Sequence, residues 1–196
     1  MLTAAESVQA RLELLLDEKV GPLTADQLAF LQVAVRDAKR LLGLIEELQL
    51  ITLVDSERLA PEPALFDLGE LVEEIANRLL PRALQAGKVI DVVRDGTCWV
   101  EADEKRVALA IGKLLAHVLG LAPGGSTIGV RVEGAGVEVR YEGPELPTED
   151  ALPIALTEAV ARLHGGSFSV GANFGAVVLS LSLSDCAPAL ELVPAA

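Results

Sequence analysis

Two histidines, His117 and His164, and two cysteines, Cys98 and Cys186, are the imidazoles and thiols that this chain can bring to nucleophilic or metal-ligating chemistry. His117 ends the run KLLAH, four residues after Lys113. An imidazole on a rigid helix is a nucleophile, which makes His117 a candidate ligand or phospho-acceptor. The plainer reading is a polar helix residue lining a collapsed pocket. His164 precedes Gly165-Gly166, where a helix should close, and an imidazole there can bond terminal carbonyls and suit the negative end of the helix dipole. Glu142 and Glu145 straddle the turn Gly143-Pro144 and could serve as an acid and base pair. In a chain with 29 acidic residues, a solvated turn accounts for them equally well. Cys98 and Cys186 are too few and too far apart for a disulfide scaffold or a metal cage. Arg36, Lys39 and Arg40 form a basic cluster on one helix, available to an acidic partner or to pairing with Asp37 or with a neighbouring helix.

The elements that must position these residues are legible in the spacing. Residues 3–56 read as two amphipathic helices joined by Val20-Gly21-Pro22-Leu23. Ala5, Val8, Leu12 and Leu15 recur at three- and four-residue steps in the first arm, and Leu28, Leu31, Val35, Ala38, Leu42 and Ile45 in the second. Pro22 cannot continue the first helix, Thr24 caps the second with Gln27 as its capping-box partner, and Leu23 with Leu28 supplies a hydrophobic staple. One stripe per helix cannot close a core, so two copies are expected to pair as a four-helix bundle, an intramolecular bundle being the alternative. Leu14, Leu16, Phe30, Val33, Leu41 and Leu44 lie off this seam and widen the apolar face.

With 196 residues and 51% hydrophobic content the chain can bury a proper core, and its length suits two small domains. A net charge of −13 disfavours nucleic acid and anionic membranes and makes a charged partner basic. No apolar run reaches the roughly 20 residues of a membrane span, and the N-terminus lacks a secretory pattern. A reduced, cytoplasmic protein without membrane insertion is expected.

Beyond the prolines of residues 57–63, Asp67 and Glu70 repeat the capping logic with Phe66 and Leu71 as staple, opening a helix from about residue 68 to 86 that carries Pro81. Residues 88–94 form a β-branched strand with 98–101 as its short partner. Asp103 caps a helix to Leu121 with Val107, Ala110, Ile111, Leu114, Leu115 and Val118 inward. Residues 127–133 and 137–142 alternate with period two about Gly134-Ala135-Gly136, a β-hairpin. A helix from Thr148 or Asp150 to Leu163 precedes strands 167–170 and 176–184, and 186–196 form a tail. The expected fold is α+β: a dimerising helical hairpin (residues 1–60), then a two-layer α/β sandwich (61–185) whose mixed sheet carries three helices on one face.

This order resembles the cytoplasmic core of a sensor histidine kinase, a dimerising hairpin followed by a Bergerat-type ATPase domain. The resemblance covers residues 8–184. It rests on Leu12-Glu13-Leu14-Leu15-Leu16 with Gly21-Pro22-Leu23-Thr24, on residues 40–48 (RLLGLIEEL), on Phe66-Asp67-Leu68, on Asp103-Glu104-Lys105-Arg106-Val107, on Gly143-Pro144 and on Leu163-His164-Gly165-Gly166. The resemblance implies a phospho-accepting histidine in the first helix, but Leu2-Thr3-Ala4-Ala5-Glu6 falls near the end of that box and holds none. Lys113 and His117 stand where the family's paired asparagines would hold magnesium. Tyr141-Glu142-Gly143-Pro144-Glu145 stands at the adenine-binding aspartate and its glycine turn. Ala151-Leu152-Pro153-Ile154 stands at the second glycine turn, with little room for an ATP lid before it.

From these departures the chain is expected to be no enzyme and to take no cofactor: a histidine-kinase-like adaptor of two-component signalling. As a homodimer it would bind a receiver domain or a histidine kinase through Glu6, Gln9, Glu13, Leu16, Phe30, Val33, Arg36 and Arg40. A histidine phosphotransferase with a degenerate ATP domain is the alternative.

Overall fold

A computed structural model describes residues 2–17, 19, 21–56, 58–143, 152–173 and 176–183. The chain divides into two units, residues 1–52 and 53–196.

In the first unit, α1 (Leu2–Leu16) is followed by the long α2 (Ala25–Asp55). The capping box forms as its spacing predicts. Thr24 N donates to Gln27 Oε1 at 2.9 Å, and Gln27 N donates to Thr24 Oγ1 at 3.3 Å. Lys39 Nζ on α2 meets Glu13 Oε1 on α1 at 3.0 Å, joining the two helices. The seam read from the sequence is the protected face of α2: Val35 and Leu42 are buried, and Leu28, Leu31, Ala38 and Ile45 are half-buried. On α1, Leu12 and Leu15 are half-buried but Val8 stands exposed. Phe30, Val33, Leu41, Leu44 and Leu48, on the other side of α2, are all exposed.

The second unit holds β1 (Ala64–Asp67), α3 (Leu68–Gln85), β2 (Val89–Arg94), β3 (Trp99–Ala102), α4 (Glu104–Leu121), β4 (Thr127–Glu133), β5 (Gly136–Glu142), α5 (Leu152–Leu163), β6 (Ser167–Asn173) and β7 (Ala176–Ser182). Five strands form one sheet in the order β2-β4-β5-β7-β6, with β2 parallel to β4 and the other pairs antiparallel. Period-two alternation splits its faces. Ile128, Val130, Val132, Val137, Val139, Val177, Leu179 and Leu181 are buried, while Thr127, Arg131, Glu133, Glu138, Arg140 and Glu142 are exposed. The inward residues expected of α4, Val107 to Val118, are all buried, and Leu119 joins them. Residues 144–151, where the fifth helix was expected to open, and the tail lie outside the described residues.

The partner of β3 differs from expectation. Instead of residues 88–94, β3 pairs antiparallel with β1, with Phe66 opposite Val100 and Asp67 opposite Trp99. The cause is the capping aspartate. Asp67 Oδ1 accepts from Gly69 N at 2.8 Å and Glu70 N at 3.4 Å to cap α3, and also from Cys98 N at 3.3 Å. Leu68 N donates to Cys98 O at 2.9 Å. One buried carboxylate therefore fixes both the start of α3 and the register of a strand 31 residues on.

At the far edge, Gly166 passes against β7 so closely that a Cβ built on it would lie 1.9 Å from Ser182 O. Only glycine fits, because the obstacle is backbone. Gly166→Ala should cost about 3 kcal/mol of unfolding free energy, at the upper end for overpacking, measured by urea denaturation. A cost below about 0.5 kcal/mol, the scale of an ordinary surface substitution, would contradict this contact.

Candidate functional site

Helix α4 is the element on which both chemically active histidine readings converge, because His117 lies on it and His164 is bonded at its N-terminus. Asp103 caps it through Arg106 N at 3.2 Å and closes an ion pair with the Arg106 guanidinium. The other carboxylate oxygen accepts from Glu62 N at 3.0 Å, and Arg106 Nη1 reaches Ala60 O at 3.2 Å, so the proline-rich segment is tied to the helix start. At the opposite end, the buried Lys88 donates through Nζ to Leu119 O at 2.7 Å, placing a cation at the C-terminus of α4.

His164 is a structural residue here. Its Nε2 accepts from Asp103 N at 2.9 Å, and its Nδ1 lies 2.8 Å from Val160 O. With Nε2 an acceptor, Nδ1 carries the proton and donates to the carbonyl, so both ring nitrogens are used. The carbonyl bond is the one read from the helix-end motif. The bond to Asp103, 61 positions away, has no signal in the sequence. His117 is half-buried on the flank of α4 that also carries Lys113. At 100° per residue these two share one side of the helix, whereas Ala108 and Gly112 lie on the other.

Tyr141 ends the inward row of β5 and is 1% exposed. A Cβ on Gly143 would come 3.0 Å from Tyr141 Cε2 and 3.2 Å from Pro123 Cδ, so the ring lies close beside Gly143. Burial pushes the phenol above its ordinary value. Glu142 is exposed; Glu145 lies outside the described residues.

On the hairpin, Gln9 Nε2 donates to Glu13 Oε1 at 3.0 Å. That bond and the Lys39 ammonium hold the Glu13 carboxyl below its usual range. Lys39 of the basic cluster is thus committed to α1, with Arg36 and Arg40 exposed beside it. Glu6 and Phe30 are exposed, Val33 is exposed, and Leu16 is half-buried. Arg36 and Arg40 lie four residues apart and border the exposed stripe that begins with Phe30 and Val33. Leu48 belongs to that stripe and was missed; its spacing from Leu41 and Leu44 was the available signal. Among the described residues no cluster of three or more His, Cys, Asp or Glu could hold a metal, and no helix is long and apolar enough to cross a membrane.

No family model matches the chain. The histidine protein kinase DivJ of Caulobacter vibrioides is 24% identical to it over 182 residues, taking in 80% of this chain and 30% of that protein. The chain therefore spans about 30% of the length of this curated relative. Among solved structures it is similar to the Acinetobacter baumannii histidine kinase AdeS, with 21% identity, a TM-score of 0.67, and coverage of 92% of this chain and 95% of that one. It is also similar to full-length ShkA in complex with AMPPNP, with 18% identity, a TM-score of 0.73, and coverage of 95% and 46%. Histidine kinase ThkA in complex with the response regulator protein TrrA matches with 14% identity, a TM-score of 0.59, and coverage of 93% and 58%. The helical hairpin followed by an ATPase-like α/β unit is thus the fold of histidine kinases.

One expectation is overturned. The departures at Lys113, His117 and Tyr141 led to the reading that the chain is no enzyme, yet DivJ, AdeS and ThkA, which it resembles, are named histidine kinases, which are enzymes. Residue differences at those boxes do not separate this chain from that enzymatic company.

The packing of Tyr141 has a measurable pH signature. Its raised phenol pKa means that the native state holds the proton more tightly than the unfolded chain does. The contribution to stability is full below the ordinary phenol value of about 10 and is lost as pH rises beyond it. The urea midpoint of the wild-type chain should fall more steeply above pH 10 than that of Tyr141→Phe. Parallel profiles would contradict the burial of the phenol.

Proposed function

We propose that this chain is an adaptor component of two-component signalling, acting in the cytoplasm as a homodimer and docking a response-regulator receiver domain through its helical hairpin. One observation carries the reading. Phe30, Val33, Leu41, Leu44 and Leu48 recur along α2 at helical spacing and are all solvent-exposed in the single chain. A stripe of that length is an interaction surface rather than a scatter of surface leucines. Its part from Leu41 to Leu48, about 10 Å at 1.5 Å per residue, is left for a helical seam between two copies. Near the turn, Phe30 and Val33 with Arg36 and Arg40 form an apolar and cationic end to the stripe. Glu6, Gln9, Glu13 and Leu16 of α1 complete the surface that a receiver would cover. The complex of ThkA with the response regulator TrrA supports the choice of partner.

A second reading, phosphotransfer through histidine, is favoured at one residue. In this reading His117, half-buried on the flank shared with the cationic Lys113, is the position for a phosphoryl group.

Titration calorimetry of the full chain against a panel of purified receiver domains tests the first reading. A receiver should bind, and the double variant Arg36→Glu, Arg40→Glu should weaken it at least tenfold with the melting temperature unchanged. Failure of every receiver, or equal affinity of the variant, would remove hairpin docking. Acid-labile phosphate transferred from a phosphorylated receiver and lost in His117→Ala would establish the second.

A further inference from the structure

The geometry points to a second docking surface, a groove between α3 and α4 that takes an amphipathic helix with an acidic polar face. The groove encloses about 550 Å³. Its walls are apolar, with Ile75 and Leu79 from α3 and the exposed Leu109 from α4. Its floor is low, because Ala108, Gly112 and Ala116 recur every fourth residue along α4 and present no long side chain. A Cβ placed on Gly112 would find only Ile75 Cγ2, at 3.8 Å, so the space above the glycine is open.

The rim carries the charge. Arg78, Lys105 and Lys113 line the groove, and no carboxylate is among its lining residues. Glu74 and Glu104 adjoin Ile75 and Lys105 in sequence without lining it. In a chain with 16 basic and 29 acidic residues, three cations around one apolar trough run against the overall balance. Net charge alone selects a basic partner, whereas this trough selects an acidic one.

The dimensions favour a helix over an extended strand or a small ion. From Lys105 to Ala116 the groove follows α4 for about 17 Å, or three helical turns. Small residues at four-residue spacing allow a second backbone to approach closely. An apolar stripe with Arg78 on the α3 side and Lys105 and Lys113 on α4 is the complement of a helix with leucines at i, i+3, i+4 and i+7 and glutamates alongside. The groove adjoins the α4 flank that carries His117 and shares Lys113 with it, whereas no hairpin residue lines it.

Fluorescence anisotropy of the full chain with a labelled 18-residue helical peptide tests the assignment. The peptide bears leucines at that spacing and glutamates on its polar face, and a matched peptide carries lysines in place of the glutamates. The acidic peptide should bind at least tenfold more tightly than the basic one. The double variant Arg78→Glu, Lys105→Glu should reverse that preference, and Gly112→Leu, which fills the trough, should weaken the acidic peptide at least tenfold. Circular dichroism melting verifies that each variant is folded, and Arg36→Glu, Arg40→Glu should leave peptide binding unchanged. Equal binding of the two peptides, or indifference to both groove variants, would overturn the assignment. Variant-sensitive binding to phosphatidylserine vesicles without peptide binding would overturn it in favour of a lipid surface.

Discussion

Burial of one continuous face of α4, which packs beside α3 and α5, is the constraint on which the α/β unit depends. Seven side chains of that helix, from Val107 to Leu119, are buried. The buried rows of the sheet are likewise almost wholly valine, leucine and isoleucine. Once that face is inward, helical periodicity leaves the rest of α4 no freedom: Lys113 and His117 fall on one flank, and Ala108 and Gly112 on the other. The location of each candidate site on α4 is set by hydrophobic burial before any polar contact is considered.

Polar contacts then fix the ends. Asp67 and Asp103 are both buried carboxylates serving as N-caps, and each does more than cap. Asp67 adds a bond to Cys98 N, and Asp103 accepts from Glu62 N. Burying a carboxylate is costly unless its oxygens are filled, and these are filled by local cap N–H groups, by the remote Cys98 N and Glu62 N, and by Arg94 and Arg106. Arg94 reaches both Asp67, at 3.7 Å, and Glu73, at 3.2 Å, linking β2 to the same corner. The caps therefore act as joints between segments that are remote in sequence.

Local signals of this kind explain what could be read in advance. Helix starts at Thr24, Asp67 and Asp103, the period-two hairpin of β4 and β5, and the inward face of α4 are statements about neighbours within seven residues, and all are present. The pairing of β1 with β3, the bond from Asp103 to His164 and the trough beside Gly112 join residues far apart in sequence, and no spacing rule reaches them. The hairpin presents a different case. Its residues alternate between two apolar faces, and sequence alone assigned the strongest periodicity to the surface between copies. In the structure that face, centred on Val35 and Leu42, is already covered, while the weaker stripe through Phe30, Leu41 and Leu48 is the open one. Residue differences at nucleotide-site positions were the least reliable signal, because they were read as loss of activity in a chain whose fold is shared with kinases.

The account rests on that open stripe belonging to an interface between two copies of the chain. Sedimentation equilibrium of the full chain measures it directly, beside a variant carrying Leu41→Glu and Leu48→Glu. The prediction is a wild-type mass twice the chain's 20.6 kDa at micromolar concentration and a folded variant at the single-chain mass. A wild-type chain that sediments at 20.6 kDa across that range would contradict it.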